Sequence, residues 1–201
     1  GTLTNLGTWR GGRSCVQTDL GTTNASTQAI QSDMVRFAEV GDYARITGAF
    51  YLPVVADCGF FFGLATTDTT LCNDTIASLP TDFVGLHKTV AGTSLSICAG
   101  DDGSTESVAV PGIVVAATTW YDFCIEVYRT GTNTADIRAT FGIGTPYDAG
   151  YVAPVTVNWK TTKLPDADAN IRFSWAYLSS NTDNVSPAAT NVSFLFAKGN
   201  V

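Results

Sequence analysis

The sequence predicts an all-β protein folded as a single-domain antiparallel β-sandwich, and three observations carry that expectation. Thr, Ser, Gly and Asn are abundant, while glutamate is confined to Glu39, Glu106 and Glu126 and methionine to Met34, a usage that favours strands and turns over helices. About ten to twelve short apolar segments follow one another with turn residues between them, and none sustains a 3.6-residue period. Two segments, 120–129 and 135–144, alternate strictly: Tyr121, Phe123, Ile125 and Val127 against Trp120, Asp122, Cys124, Glu126 and Tyr128, then Ile137, Ala139, Phe141 and Ile143 against Asp136, Arg138 and Thr140. Such alternation marks a half-buried antiparallel sheet. With 201 residues, 45% of them hydrophobic and 14% charged, the chain suits one large β-domain with a filled core.

Residues 1–31 are Gly-, Thr- and Asn-rich and poor in large apolar groups. They read as an N-terminal arm or a loosely packed lead-in, with an edge strand around Thr8–Trp9, and residues 32–201 read as the sandwich domain. Strands are expected over 34–40 and 43–52, joined by a hairpin turn at Gly41-Asp42. The stretch 59–66 follows the loop from Pro53 to Cys58. Shorter strands at 82–88, 94–99 and 106–110 are broken at Ala91-Gly92 and Asp101-Asp102-Gly103. The long hairpin 120–129/135–144 turns at 130–134. The strand at 151–159 contains Pro154 and belongs at an edge, where a missing N–H is tolerated. Strands at 171–178 and 191–198 close the chain, and a turn over Thr75–Leu79 is the best helical candidate. Many short strands with turns between them indicate a two-sheet sandwich or jelly roll.

The run Phe60-Phe61-Phe62 poses a packing problem. Successive strand side chains face opposite ways, so Phe60, Phe62 and Leu64 share one face and Phe61 stands on the other. Either a loop or the N-terminal arm covers Phe61, or another subunit does. Tyr51, Trp120 and Leu178 also fall on outer faces by alternation. An apolar excess of this kind suits an interface, since a monomer rarely leaves a large apolar patch bare.

A net charge of −7 argues against nucleic-acid binding, which needs a basic patch. There is no run of 18 apolar residues to cross a membrane as a helix. The sequence opens at Gly1 with no charged-then-apolar leader in view. Cys15, Cys58, Cys72, Cys98 and Cys124 are widely spaced, no C-x-x-C occurs, and His87 is the single histidine, so no metal cage is expected. The cysteines read as reduced apolar fillers, with Cys58 and Cys72, flanking the Phe strand, as the one pair to watch. Sequons at Asn24, Asn73, Asn184 and Asn191 are weak signals in so Thr- and Ser-rich a chain. No cofactor is expected.

In their order and content, "FFFGLATTDTTL", "DFVGLHK", "SLSIC", "ESVAV", "WYDFCIEVYRTG…ADIRATFGIG" and the closing "FLFAKG" resemble concanavalin A-like (LamG-like) jelly rolls. In particular they look like capsid-associated structural proteins of tailed phages. The likeness spans residues 33–198: an F-x-G-x-A strand, a D-x-x-G strand, and a hairpin that opens W-Y-x-x-x-I. It implies a non-enzymatic virion structural protein. Such a protein would be a capsid decoration (cement) protein on the capsid surface, contacting the major capsid protein and itself as a homo-oligomer, a trimer by expectation. The alternative it leaves open is a carbohydrate-binding module on a tail fibre or spike, with a surface glycan as partner.

Candidate sites were weighed on chemistry. Endo-glucanases of this fold carry E-x-D-x-E on one strand, and the nearest approach here is Asp122-Phe123-Cys124-Ile125-Glu126. Its first acid is shortened and its middle acid is a cysteine. A retaining glycosidase needs carboxyls about 5–5.5 Å apart, whereas residues four apart on a strand span roughly 13 Å. Any nucleophilic triad must pass through His87, and G-x-S-x-G is absent. The loops at 101–104 and 66–69 offer clustered oxygens for calcium, but neither supplies six to eight ligands. Trp120 and Tyr128, on the outer face with Glu126 and Arg138, form a sugar-stacking platform or a packing surface. The residues expected to face an interface or a ligand are therefore Phe61, Trp120 and Tyr128, with no catalytic, cofactor-binding or metal-binding residue.

Overall fold

The computed structural model describes residues 31–52, 55–56, 58–66, 79–144, 154–166 and 170–174 in full, and the strand course alone for 2–9, 13–19, 26–30, 152–153, 175–179 and 190–200. The strands are β1 (Thr2–Trp9), β2 (Arg13–Asp19), β3 (Ser26–Met34), β4 (Asp42–Leu52), β5 (Cys58–Thr66), β6 (Phe83–Lys88) and β7 (Ser94–Asp101). They continue as β8 (Ser104–Val114), β9 (Thr119–Arg129), β10 (Ala135–Ile143), β11 (Val152–Thr161), β12 (Ile171–Ser179) and β13 (Thr190–Asn200). All pair antiparallel in two sheets: seven strands in the order β1-β2-β13-β4-β9-β10-β11, and six in the order β3-β12-β5-β6-β7-β8. The fold is an all-β sandwich of the lectin-like, concanavalin A-like kind.

The alternation read from the sequence determines which face of each strand is buried. On β4 and β9 the residues Ile46, Phe50, Tyr121, Phe123, Ile125 and Val127 are buried, while their neighbours on the other face, Ala49 apart, retain exposure. From the opposing sheet, Phe60 and Phe62 complete an aromatic centre, with Phe50 4.8 Å from Phe60 and 5.1 Å from Tyr121, and Phe62 5.4 Å from Phe123, ring to ring. Fully burying a side chain of this size stabilises by about 1.5–3 kcal/mol. This cluster fixes the two sheets face to face and leaves the outer side of β4, β9 and β10 partly exposed among the described residues.

Phe61 is covered within the chain. It is 0% exposed, in a second apolar cluster with Ala65, Leu79, Phe83, Val90 and Cys98 on the outer side of the six-stranded sheet. Its ring meets Phe83 edge-on at 6.1 Å. The sheet beneath is stripped of side chains to admit these rings. A Cβ on Gly63 would stand 2.7 Å from Phe61 Cζ, and one on Gly100 would stand 2.3 Å from Phe83 Cε1. The structure thus places Phe61 in a secondary core and not on a docking surface.

Two further expectations are corrected. Of the N-terminal arm expected over 1–31, residues 2–9, 13–19 and 26–31 lie in paired strands instead: β1 with β2, β2 with β13, and β3 with β12. The edge position expected near Thr8–Trp9 is that of β1, and Pro154 does lie on an edge strand, β11. The strand expected at 34–40 ends at Met34. Asp42 Oδ2 accepts the backbone N–H groups of Ala38 (2.7 Å) and Glu39 (3.1 Å), bending the chain into a turn completed at Gly41 with φ +93°. His87, the single histidine, is 1% exposed in the interior of the six-stranded sheet, opposite Phe61 and Ser96. Cys72, the Thr75–Leu79 turn up to residue 78, and Asn24, Asn73 and Asn184 lie outside the described residues.

Candidate functional site on the seven-stranded sheet

The outer face of β4, β9, β10 and β11 gathers the polar and aromatic residues left over by core packing. Cross-strand register sets Tyr51 opposite Trp120 and Tyr43 opposite Tyr128, and each couple forms a ring pair, at 5.4 Å and 4.7 Å between centroids. Both pairs are tilted, at 39° and 35°, and all four rings remain partly exposed. Trp120 and Tyr128 therefore stand on this face as the alternation predicted. Tyr43 and Arg45, which the sequence reading did not single out, complete it. The same period-2 pattern on 43–52 carries both.

Between the aromatic pairs runs a hydrogen-bonding strip. Tyr43 donates its hydroxyl to Glu126 Oε1 at 2.8 Å, and the Arg45 Nε–H points at Cys124 Sγ at 3.4 Å, with Glu126 Oε1 4.0 Å away. Burial, and then the bond to Glu126, push the Tyr43 phenol well above the usual tyrosine range, so it stays a donor. Lys160 Nζ lies 3.3 Å from Asp136 Oδ1 at the far side. Arg138 is exposed, opposite Glu126 on one neighbour and Asn158 on the other, and makes no hydrogen bond or ion pair among the described residues. A shallow groove of about 520 Å³ opens here, lined by Tyr128, Asp136, Arg138, Asn158 and Lys160. The described charges on the face balance, Asp122, Glu126 and Asp136 against Arg45, Arg138 and Lys160, on a chain of net charge −7.

This arrangement stacks and hydrogen-bonds; it does not offer paired acids in working position. Cys124 holds the middle place of the acid triplet and is engaged by Arg45, while Glu126 is engaged by Tyr43. His87, enclosed within the other sheet, cannot meet a substrate. Where β6 begins and β7 ends, the carboxylates of Asp82, Asp101 and Asp102 come within 4.8 Å of one another. Asn133 Nδ2 bridges Asp101 and Asp166 at 2.7 Å each, and burial followed by repulsion from Asp166 raises the Asp101 carboxyl. Of the other expected calcium loop, residues 67–69 lie outside the described residues. Cys98 is a buried free thiol whose pKa burial pushes far up, in keeping with an inert filler.

Neither a protein-family model nor a curated protein sequence matches the chain. Solved structures do resemble it. A protein of unknown function from Shewanella oneidensis superposes with a TM-score of 0.60 at 13% identity, covering 100% of this chain and 75% of the other. An endo-β-1,4-glucuronan lyase from Trichoderma reesei gives 0.55 at 13% identity, over 100% and 87%. The carbohydrate recognition domain of Emp47p gives 0.52 at 12% identity, over 98% and 88%. At such identities the likeness is one of fold.

Proposed function

We propose that the protein is a non-catalytic carbohydrate-binding module that holds a glycan on the outer face of its seven-stranded sheet. The observation that carries the reading is the pair of aromatic couples, Tyr51–Trp120 and Tyr43–Tyr128, flanking a strip of hydrogen-bonding groups on one open face. Sugar rings present an apolar face to stack on an aromatic ring and a rim of hydroxyls to bond, and this face supplies both partners. Two neighbours in fold, a glucuronan lyase and a carbohydrate recognition domain, act on or recognise glycans by name, which is consistent with the reading. A glycan array with the purified protein tests it. Binding that soluble glycan competes away, and that Trp120→Ala reduces, is the expected result; an empty array overturns it.

A virion setting rests on the sequence resemblance to phage capsid-associated proteins. The decoration-protein reading, with contacts to a major capsid protein and a homo-oligomer, keeps that resemblance but loses Phe61 as a bare apolar anchor. Copies per major capsid subunit in purified particles separate the two settings. A simple ratio favours the shell, and a handful of copies favours a fibre or spike that presents the glycan-binding face to a host surface.

A further inference from the structure

We infer that the ligand is a single linear, uncharged oligosaccharide lying along β9, clamped at both ends by the two aromatic pairs; this rests on the carbohydrate-binding reading above. Both pairs are built from the same two strands in continuous register, Tyr51↔Trp120 at one end and Tyr43↔Tyr128 at the other. From Trp120 to Tyr128 the strand advances eight residues, about 27 Å at roughly 3.4 Å per residue. One monosaccharide or disaccharide cannot touch both ends; a chain of several pyranose rings can. The strip between them has no large apolar side chain among the described residues. It carries Cys124, Glu126, Arg45 and Arg138, groups that bond hydroxyls at successive points along an extended chain. At the Tyr128 end the groove of about 520 Å³ gives the terminal ring a recess.

Charge selects the chemical class. The described acids and bases of the face cancel, so it exerts no strong local attraction on a uronic-acid or sulfated polymer, which the net charge of −7 repels at longer range. A chain of neutral sugars loses nothing to that field.

The test is calorimetric titration of the full chain with cello-, manno- and xylo-oligosaccharide ladders from disaccharide to octasaccharide, beside polyuronate fragments of matched length. The expected result is affinity that climbs with length in one neutral series and levels off once both clamps are reached, with the polyuronates weaker throughout. Trp120→Ala and Tyr128→Ala, each with its Phe control to show intact folding, should separately lose about tenfold or more for the long oligomer, roughly 1.4 kcal/mol, while binding of the disaccharide changes far less. If short and long oligomers bind alike, or only one of the two substitutions matters, the double clamp is overturned while the carbohydrate reading stands. Tighter binding of the polyuronates overturns the neutral class alone. If no ladder binds, or if the chain dimerises through this face and Trp120→Ala abolishes the dimer, the site itself is wrong.

Discussion

Replacing Phe61 by alanine discriminates between the two places its ring was able to go. In the structure the ring is 0% exposed and packs on Leu79, Val90, Cys98 and the edge of Phe83. Truncation removes the buried ring and leaves a void above Gly63, whose missing side chain cannot fill it. Buried Phe→Ala changes cost about 3–5 kcal/mol. The cluster is small and lies on the outer side of a sheet, so partial collapse relieves some of the void and the lower figure applies, about 3 kcal/mol. For a chain of this length each kcal/mol moves Tm by about 2–4 °C, so a fall of about 6–12 °C is expected, with the same sedimentation coefficient as the parent. Differential scanning calorimetry and analytical ultracentrifugation read the two quantities. An unshifted Tm together with a lost oligomer would refute the argument and return Phe61 to an intermolecular surface.

Two other outcomes follow from the same packing and hydrogen bonding. Gly85→Ala puts a Cβ 2.2 Å from Phe62 O and 2.7 Å from Gly63 Cα, backbone atoms that cannot yield without parting β5 from β6; a loss of about 3 kcal/mol or failure to fold is expected, and an unchanged urea midpoint contradicts it. Glu106 ties the sheets together by accepting from Thr162 Oγ1 (2.7 Å), Thr161 Oγ1 (3.0 Å) and Thr162 N (3.2 Å), and these bonds, the Thr162 hydroxyl foremost, lower its pKa. A depressed folded pKa stabilises above the unfolded value and ceases to do so as pH falls through the folded one. Glu106→Gln should therefore be less stable than the parent at neutral pH and converge with it below the ordinary glutamate range; a gap that widens in acid reverses the sign and refutes the assignment.

Much of this was legible in the residues because a sandwich sorts its side chains by a period of two. The alternation of 120–129 and 135–144 names both the buried face and the open one, so period alone puts Trp120, Tyr128, Glu126 and Arg138 on the open side. Where burial is two-sided the period disappears. β5 and β6 are buried almost residue by residue, so alternation alone did not identify what covers Phe61; the glycines at 63, 85 and 100 that seat the rings held that information. The edge strand expected around Thr8–Trp9 is β1, but β2 carried no such signal, because a segment short of large apolar residues shows no alternation to mark it. The strand expected at 34–40 failed because Asp42 side-chain bonds bend the backbone, which hydrophobic spacing does not register. The ring pairs depend on register between β4 and β9, a property of two strands together that neither segment states alone.

The central claim, that a glycan occupies the strip between the two aromatic pairs, can be tested at an atom in its middle. Cys124 is partly exposed there, beside Arg45, whereas Cys58 and Cys98 are buried. Its rate of alkylation by iodoacetamide, followed by peptide mass spectrometry with and without a saturating glycan from the array, reports directly on occupancy of the strip. The account predicts that bound glycan slows modification of Cys124 severalfold and that Trp120→Ala removes the protection. An alkylation rate indifferent to saturating glycan would place the sugar elsewhere on the protein and contradict it.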